Sequence, residues 1–303
     1  MGEKIKITFL GTSGAIPSIE RNHTAVLLSY KSENILVDCG EGTQRQFKYA
    51  KLSPNKVTKL LITHWHGDHV LGIPGFLQTL AFSDYKKTLE VYGPVGTKKF
   101  MECMLKTFAF SGEVKMKIIE LSKEGKFFDS GDFYLEAKKL THGVSCFAYN
   151  FVEKGKLKID KDKLKKSGLP GGPLMKKLKE GKDVSWKGKK FKFKDLTYGD
   201  VEKKVSIILD TAYDKKIAKF VDGADLLISE ASFDSSFKTK AKEYNHMTSE
   251  QAAEIAKAGK VKKLILMHLS QRYGKATKKL LDEAKKIFSK SSLAEDLDIV
   301  ELN

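Results

Sequence analysis

The sequence predicts an α/β fold, and two observations carry that expectation. Short runs of branched apolar residues recur along the chain, and segments with helical periodicity and helix end-signals lie between them. The chain has 303 residues, 41% hydrophobic and 31% charged, which is enough for a sizeable core and excludes disordered or fibrous classes.

In chain order, Ile35-Leu36-Val37 leads to Asp38, and Leu60-Leu61-Ile62 leads through Thr63 to His64. Ile207-Ile208-Leu209 leads to Asp210, and Leu264-Ile265-Leu266-Met267 leads to His268. Runs this short read as buried strands, and their coordinating residues are expected on a common rim, because functional groups on open sheets gather at strand ends. Phe100 to Phe110, with Met101, Met104 and Leu105 at helical spacing, reads as a helix packed on the core. Thr248-Ser249-Glu250-Gln251 fits a capping box; Ala252, Ala253, Ile255 and Ala256 form its apolar stripe, and Gly259 closes it. Ala276 to Phe288 reads as a last amphipathic helix, followed by a short strand at Asp298-Ile299-Val300.

The formal net charge of +17 points to an acidic partner such as nucleic acid. Residues 150–200 alone hold 16 Lys against 7 acidic residues, a balance of +9. The centre of that segment, Gly168-Leu169-Pro170-Gly171-Gly172-Pro173, is a turn or loop, so the segment is expected as an insertion standing off the main body. Cys39, Cys103 and Cys146 show no C-x-x-C spacing and are expected as small buried hydrophobes in a reducing cytosol. No run approaches the ~18 apolar residues that span a bilayer. The opening residues run into charge before any leader-like stretch, so a cytoplasmic protein with no membrane association is expected.

Thr63-His64-Trp65-His66-Gly67-Asp68-His69 is the strongest signal. Two histidines one residue apart at a strand end can point the same way, and Gly67 lets the chain turn so that Asp68 and His69 approach from another side. A single cation rarely takes all four from so tight a loop, whereas two cations sharing them leave positions for water and substrate. His142, after Lys139-Leu140-Thr141, and Asp210 and His268, each after another apolar run, can complete such a pair. Of the seven histidines, all but His23 and His246 fit as ligands.

T-H-x-H-x-D-H, followed by an isolated histidine, an aspartate and a final histidine, resembles the metallo-β-lactamase superfamily and, more narrowly, its tRNase Z family of endonucleases that remove the 3′ trailer from precursor tRNA. Supporting stretches are Phe9-Leu10-Gly11-Thr12-Ser13-Gly14, Val37 through Gln46, Gly72-Ile73-Pro74-Gly75, Asp210-Thr211, Glu230-Ala231-Ser232 and His246-Met247-Thr248. The resemblance implies that His64, His66 and His142 hold one zinc, that Asp68, His69 and His268 hold another, and that Asp210 bridges them. It implies two zinc ions per subunit, with manganese or another divalent ion as the alternative. It makes Asp68 the residue that orients or deprotonates the attacking water, and His246, held by Glu230, the proton donor. It also implies a homodimer acting on precursor tRNA.

The expected architecture is a four-layer αββα sandwich over residues 1–303, metals at one edge, with residues 150–200 as an inserted flexible arm that grips tRNA. Gly168, Pro170, Gly171, Gly172 and Pro173 of the arm, and Arg21, Asn22, Arg45 and Gln46 near the rim, are the expected RNA contacts. Two departures stand out: in Pro17-Ser18-Ile19-Glu20-Arg21-Asn22 an isoleucine replaces the family's lysine, and Ser229 stands where a histidine is usual. The competing expectations are a two-metal hydrolase of a small phosphodiester or other ester, and a non-catalytic RNA-binding protein on a hydrolase scaffold.

Overall fold

The computed structural model describes residues 4–109, 113–155, 157–199 and 201–302; Phe110 and Asp200, which bound two of the expected segments, lie outside the described residues. One sheet contains β1 (Ile5–Gly11), β2 (Ala25–Tyr30), β3 (Glu33–Val37), β4 (Lys59–Leu61), β5 (Leu89–Pro94) and β6 (Met116–Leu121). The other contains β7 (Gly125–Asp129), β8 (Phe133–His142), β9 (Val144–Glu153), β10 (Lys203–Ile208), β11 (Leu226–Glu230), β12 (Leu264–Met267) and β13 (Ser291–Leu293). The last strand, β14 (Ile299–Leu302), returns to the first sheet, giving the orders β14-β1-β2-β3-β4-β5-β6 and β13-β12-β11-β10-β9-β8-β7. Each sheet joins an antiparallel half to a parallel half: β3 to β6 run parallel in the first, β10 to β13 in the second.

Strand alternation explains the layering. Ile35 and Val37 of β3, Leu61 of β4, Val205 and Ile207 of β10, and Ile265 and Met267 of β12 all enter one core between the sheets. Their neighbours Leu36 and Leu60 face Phe47, Phe76 and Met101 on helices outside the first sheet. Leu227, Leu264 and Leu266 face Ile217, Ile255 and Leu280 on helices outside the second. A period of two thus sends alternate residues to two apolar layers, which is why these strands read as continuous hydrophobic runs.

The helix Ser249–Ala258 carries the expected capping box, Thr248 and Gln251 bonding reciprocally, and ends at Gly259. The helix Thr97–Thr107 buries Met101, with Met104 and Leu105 packed against the same core. The last helix spans Lys278–Ile287. Cys39 and Cys146 are buried, but Cys103 is exposed, on the solvent face of its helix.

Between β9 and β10 the chain leaves at Glu153 and returns at Lys203, residues that face each other across an antiparallel pair. The inserted segment has its own small core of Leu169, Leu178, Val184 and Leu196, separate from the three cores of the sandwich. Asp160 caps its first helix by accepting from the Lys163 N–H, Gly168 ends that helix at φ 69°, and Pro173 opens the second.

Candidate metal centre and active site

The histidine loop begins where β4 ends. The Ile62 carbonyl accepts from Tyr149 Oη at 2.7 Å and the Thr63 carbonyl from the Phe147 N–H at 3.0 Å, so the second sheet fixes the loop's first residues. Asp38, fully buried after β3, accepts from the Thr63 N–H and hydroxyl, both at 2.7 Å, and from His69 Nδ1 at 2.6 Å. One carboxylate therefore ties both ends of the loop.

The structure brings the seven expected ligands into two adjoining groups that share Asp210: His64, His66 and His142 with it, and Asp68, His69 and His268 with it. His66 Nδ1 lies 3.0 Å from His64 Nε2 and 3.1 Å from His142 Nε2. Asp210 Oδ2 lies 3.4 Å from both His142 Nε2 and His69 Nε2, and Asp210 Oδ1 lies 3.0 Å from His268 Nε2. In the second group Asp68 Oδ2 is 3.3 Å from both His69 Nε2 and His268 Nε2.

The outer nitrogens determine what faces inward. Thr63 donates to Asp38 and so accepts from His64 Nδ1 at 3.0 Å; His142 Nδ1 donates to the Asn245 carbonyl at 3.0 Å. Ser232 donates to Glu230 Oε2 at 2.6 Å and accepts from His268 Nδ1 at 3.1 Å. With those protons committed outside, the Nε2 lone pairs of His64 and His142 converge near His66 Nδ1, an arrangement that a cation relieves. Asp210 Oδ1, buried, accepts no hydrogen bond among the described residues. This donor set of imidazoles and carboxylates with satisfied outer partners fits divalent cations.

The electrostatics agree. Burial pushes the His64 imidazole down to about 2, the His69 charge adding to the effect, and burial with the His142 charge lowers His66. Burial would lower His268 as well, but the carboxylates of Asp210 and Asp68 raise it to about 10. Burial would raise Asp210, but His268 and His69 hold it well below the usual carboxylate range.

His246 belongs to neither of those two groups but forms a third with Glu230 and His268. Its Nδ1 is 3.1 Å from Glu230 Oε2, and Glu230, fully buried, is anchored by the Thr211 N–H at 2.7 Å and by Ser232. Burial opposes charge on His246, but the Glu230 carboxylate outweighs it and raises the imidazole above its ordinary value. His66, Asp68, His142, Asp210, His246 and His268 line one cavity of about 400 Å³, whose wall also includes Gly14, Ala15, Ile16, Phe233, Tyr244 and Arg272.

The expected RNA contacts divide. Arg45 is exposed. Arg21 is buried, Nη1 donating to Thr12 Oγ1 and the Ala294 carbonyl, both at 2.6 Å, and Gln46 Nε2 donates to Asp296 at 2.8 Å. Asn22 Nδ2 donates to the Glu41 carbonyl at 2.8 Å. Gly168, Gly171, Gly172 and Pro173 are exposed on the insertion and Pro170 is half-buried there; none belongs to the lining of the metal cavity. His23 is buried, its Nε2 3.3 Å from the Ala15 carbonyl, outside both ligand groups. Ile19 is fully exposed, and Ser229 Oγ donates to the Glu230 carbonyl. Asp38 shares the strand-end signal of the ligands, which marks its place but not its orienting role. Ser232 and Thr63 sit next to motif residues, and no spacing rule separates them from ordinary hydroxyls.

Residues 5–133 match the family model described as anti-Pycsar protein Apyc1. Ribonuclease Z of Bacillus cereus strain B4264 is 38% identical over 302 residues, covering 97% of this chain and 98% of the relative, and ribonuclease Z of Bacillus thuringiensis strain Al Hakam matches to the same extent. Among solved structures, the short form of human tRNase Z aligns with a TM-score of 0.71 at 29% identity, over 97% of this chain and 98% of that one. The metallo-β-lactamase fold protein YhfI of Bacillus subtilis aligns with a TM-score of 0.72 at 21% identity, over 99% of this chain and 100% of that one, a likeness of fold. With a near full-length relative at this identity and the whole ligand set gathered at one rim, the chain belongs to the ribonuclease Z family.

Proposed function

We infer that the protein is a tRNA 3′-processing endoribonuclease that removes the 3′ trailer from precursor tRNA by hydrolysis, leaving a tRNA 3′-hydroxyl and a 5′-phosphorylated trailer. The observation that carries this reading is the pair of ligand groups sharing Asp210, in a chain 38% identical to ribonuclease Z over nearly its full length. The resident ions in this reading are two Zn²⁺ per subunit, which lower the pKa of water and neutralise charge on a phosphoryl group. His64, His66 and His142 would hold one and Asp68, His69 and His268 the other, with Asp210, common to both groups, shared between them.

The chain's own residues supply the rest. Asp68, whose Oδ2 is fixed by the Ala15 N–H at 2.7 Å, orients the attacking water and takes its proton. Glu230 favours the charged form of His246, which in this reading delivers its proton to the departing 3′-oxygen. The lysine-rich insertion supplies affinity: exposed lysines matched to phosphates release counterions, so binding through it weakens steeply with salt. Arg45, and Gly168, Pro170, Gly171, Gly172 and Pro173 of the insertion, are the proposed RNA contacts. A cytoplasmic location and a homodimer, in which one subunit's arm serves the other's site, belong to the same reading. Among the described residues no helix is long and apolar enough to cross a membrane.

The test is incubation of a 3′-extended tRNA with the purified protein, with and without chelator, mapping the cut. A chelator-sensitive cut leaving a 3′-hydroxyl on the tRNA is expected. Deleting residues 155–195 is expected to abolish that cleavage while hydrolysis of a small phosphodiester continues. Equal persistence of both would remove the arm from substrate binding, and cleavage of the small ester alone by the intact chain would favour the small-phosphodiester hydrolase.

A further inference from the structure

We propose that Asp296 is a positioning residue for hydrolysis: its carboxylate closes the Ser13–Arg21 loop into the wall of the metal cavity and so holds the Ala15 N–H on Asp68. The proposal rests on the role given to Asp68 above.

Asp296 lies just past β13, 284 residues from Thr12, with which it bonds. Its Oδ1 accepts from Thr12 Oγ1 at 2.8 Å, and its Oδ2 accepts from the Asn22 N–H at 2.7 Å and from Gln46 Nε2 at 2.8 Å. Thr12 and Asn22 are the two ends of the loop, and Gln46 sits on the neighbouring helix Thr43–Tyr49. Arg21 Nη1 completes the clasp, joining Thr12 Oγ1 to the Ala294 carbonyl. Both loop ends and the C-terminal segment thus meet at one side chain.

Between the clasped ends the loop turns tightly, with Ala15 at φ 51°. A non-glycine residue in that region persists only where its surroundings hold it there. What the strained residue does is specific: its N–H donates to Asp68 Oδ2, the oxygen that also faces His69 and His268. That bond fixes the rotation of the Asp68 carboxylate about the site where water is activated. Arg21, Asn22 and Gln46 then serve the wall from within the protein, by shaping the loop.

The experiment is Asp296→Ala in the intact, metal-loaded chain, with kcat and KM measured separately on 3′-extended tRNA and on bis(p-nitrophenyl) phosphate, alongside metal content and thermal midpoint. The expected result is a fall in kcat of about 10- to 100-fold on both substrates, with metal content retained and tRNA KM nearly unchanged. Asp296→Asn, whose amide oxygen still accepts, is expected to recover part of the lost kcat. A lowered midpoint with kcat unchanged on both substrates makes Asp296 a brace only and overturns the proposal. A rise in tRNA KM alone overturns it too, by making the loop an RNA contact. If Asp296→Ala does not fold, Gln46→Ala deletes one bond of the clasp and Thr12→Val deletes two, those to Asp296 and from Arg21. A kcat loss of a few-fold in each then supports the proposal, and none overturns it. Should the unaltered chain fail to cut the tRNA, the cleavage reading falls, while the comparison on the small phosphodiester still decides the role of Asp296.

Discussion

Asp38, Asp210 and His268 each follow a strand and each adopts a left-handed backbone, at φ 57°, 22° and 56°. Side chains there cost about 1–3 kcal/mol each, and here the turn swings coordinating groups off the sheet and into the seam. Gly14 belongs to the same crowded place: a Cβ on it would lie 2.3 Å from the His268 ring. Gly14→Ala is therefore expected to displace that imidazole and lose about one bound ion per chain, read by metal analysis, with activity falling in step. His246→Ala is expected to do the opposite, keeping the ions while turnover falls about 10²- to 10⁴-fold, because only proton delivery is removed. Unchanged turnover would remove His246 from the mechanism. Burial would raise Asp234, but Lys279, Ser236 and Tyr273 hold it down to about 2. A carboxylate depressed in this way stabilises the fold above its unfolded pKa of about 4, and the contribution is lost as pH falls through the folded value. Asp234→Asn is expected to cost about 1 kcal/mol at neutral pH, a difference from the parent that shrinks between about pH 4 and 2 in denaturant unfolding.

Among the described residues, the insertion behaves as an element in its own right, with three short helices, two short strand pairs and a four-residue core. So small a core has little reserve, and Leu178, fully buried within it, is its most sensitive point. Leu178→Ala is expected to cost about 2–5 kcal/mol locally, which melts the insertion while the sandwich keeps its thermal midpoint. Loss of amide protection confined to residues 161–196, with weakened tRNA binding, is the corresponding measurement. The sequence showed this segment as a charge anomaly and a Gly-Pro turn, but not as a folded unit, because its apolar residues are scattered among lysines without a long period. Where periodicity is strong, as at Thr248–Gly259 or Leu264–Met267, the elements match the expectation closely. The three-residue strand Ser291–Leu293 carries no such period and exists through pairing with Leu264–Leu266, which is tertiary information. The ligands were legible because histidines are few and each ends a recognisable run. Arg21 and Gln46 looked like rim contacts for the same positional reason, yet their partners, Ala294 and Asp296, lie some 250 or more residues away in sequence.

At the scale of the molecule, the proposed ligands come from both sheets. His64 to His69 follow a strand of the first sheet, while His142, Asp210 and His268 end or follow strands of the second. In the proposed assignment, ion binding would cross-link the sandwich along one rim. Chelation is expected to lower the thermal midpoint and re-addition to restore it; ions at 1,000 times their Kd contribute about 4 kcal/mol. A midpoint indifferent to chelator would show that the rim is held by protein contacts alone. The insertion, by contrast, leaves and rejoins the sandwich at facing residues of one antiparallel pair, Glu153 and Lys203, with Tyr30 Oη on Glu153 at 2.9 Å and Lys203 Nζ on Glu153 at 3.4 Å. Strands so joined can be closed by a two-residue turn with their pairing unbroken. In the proposed reading, the handle for a polymer and the chemistry of its cleavage are thus separable: the one can be lengthened, replaced or discarded at a single hairpin without reshaping the cage assigned to the other.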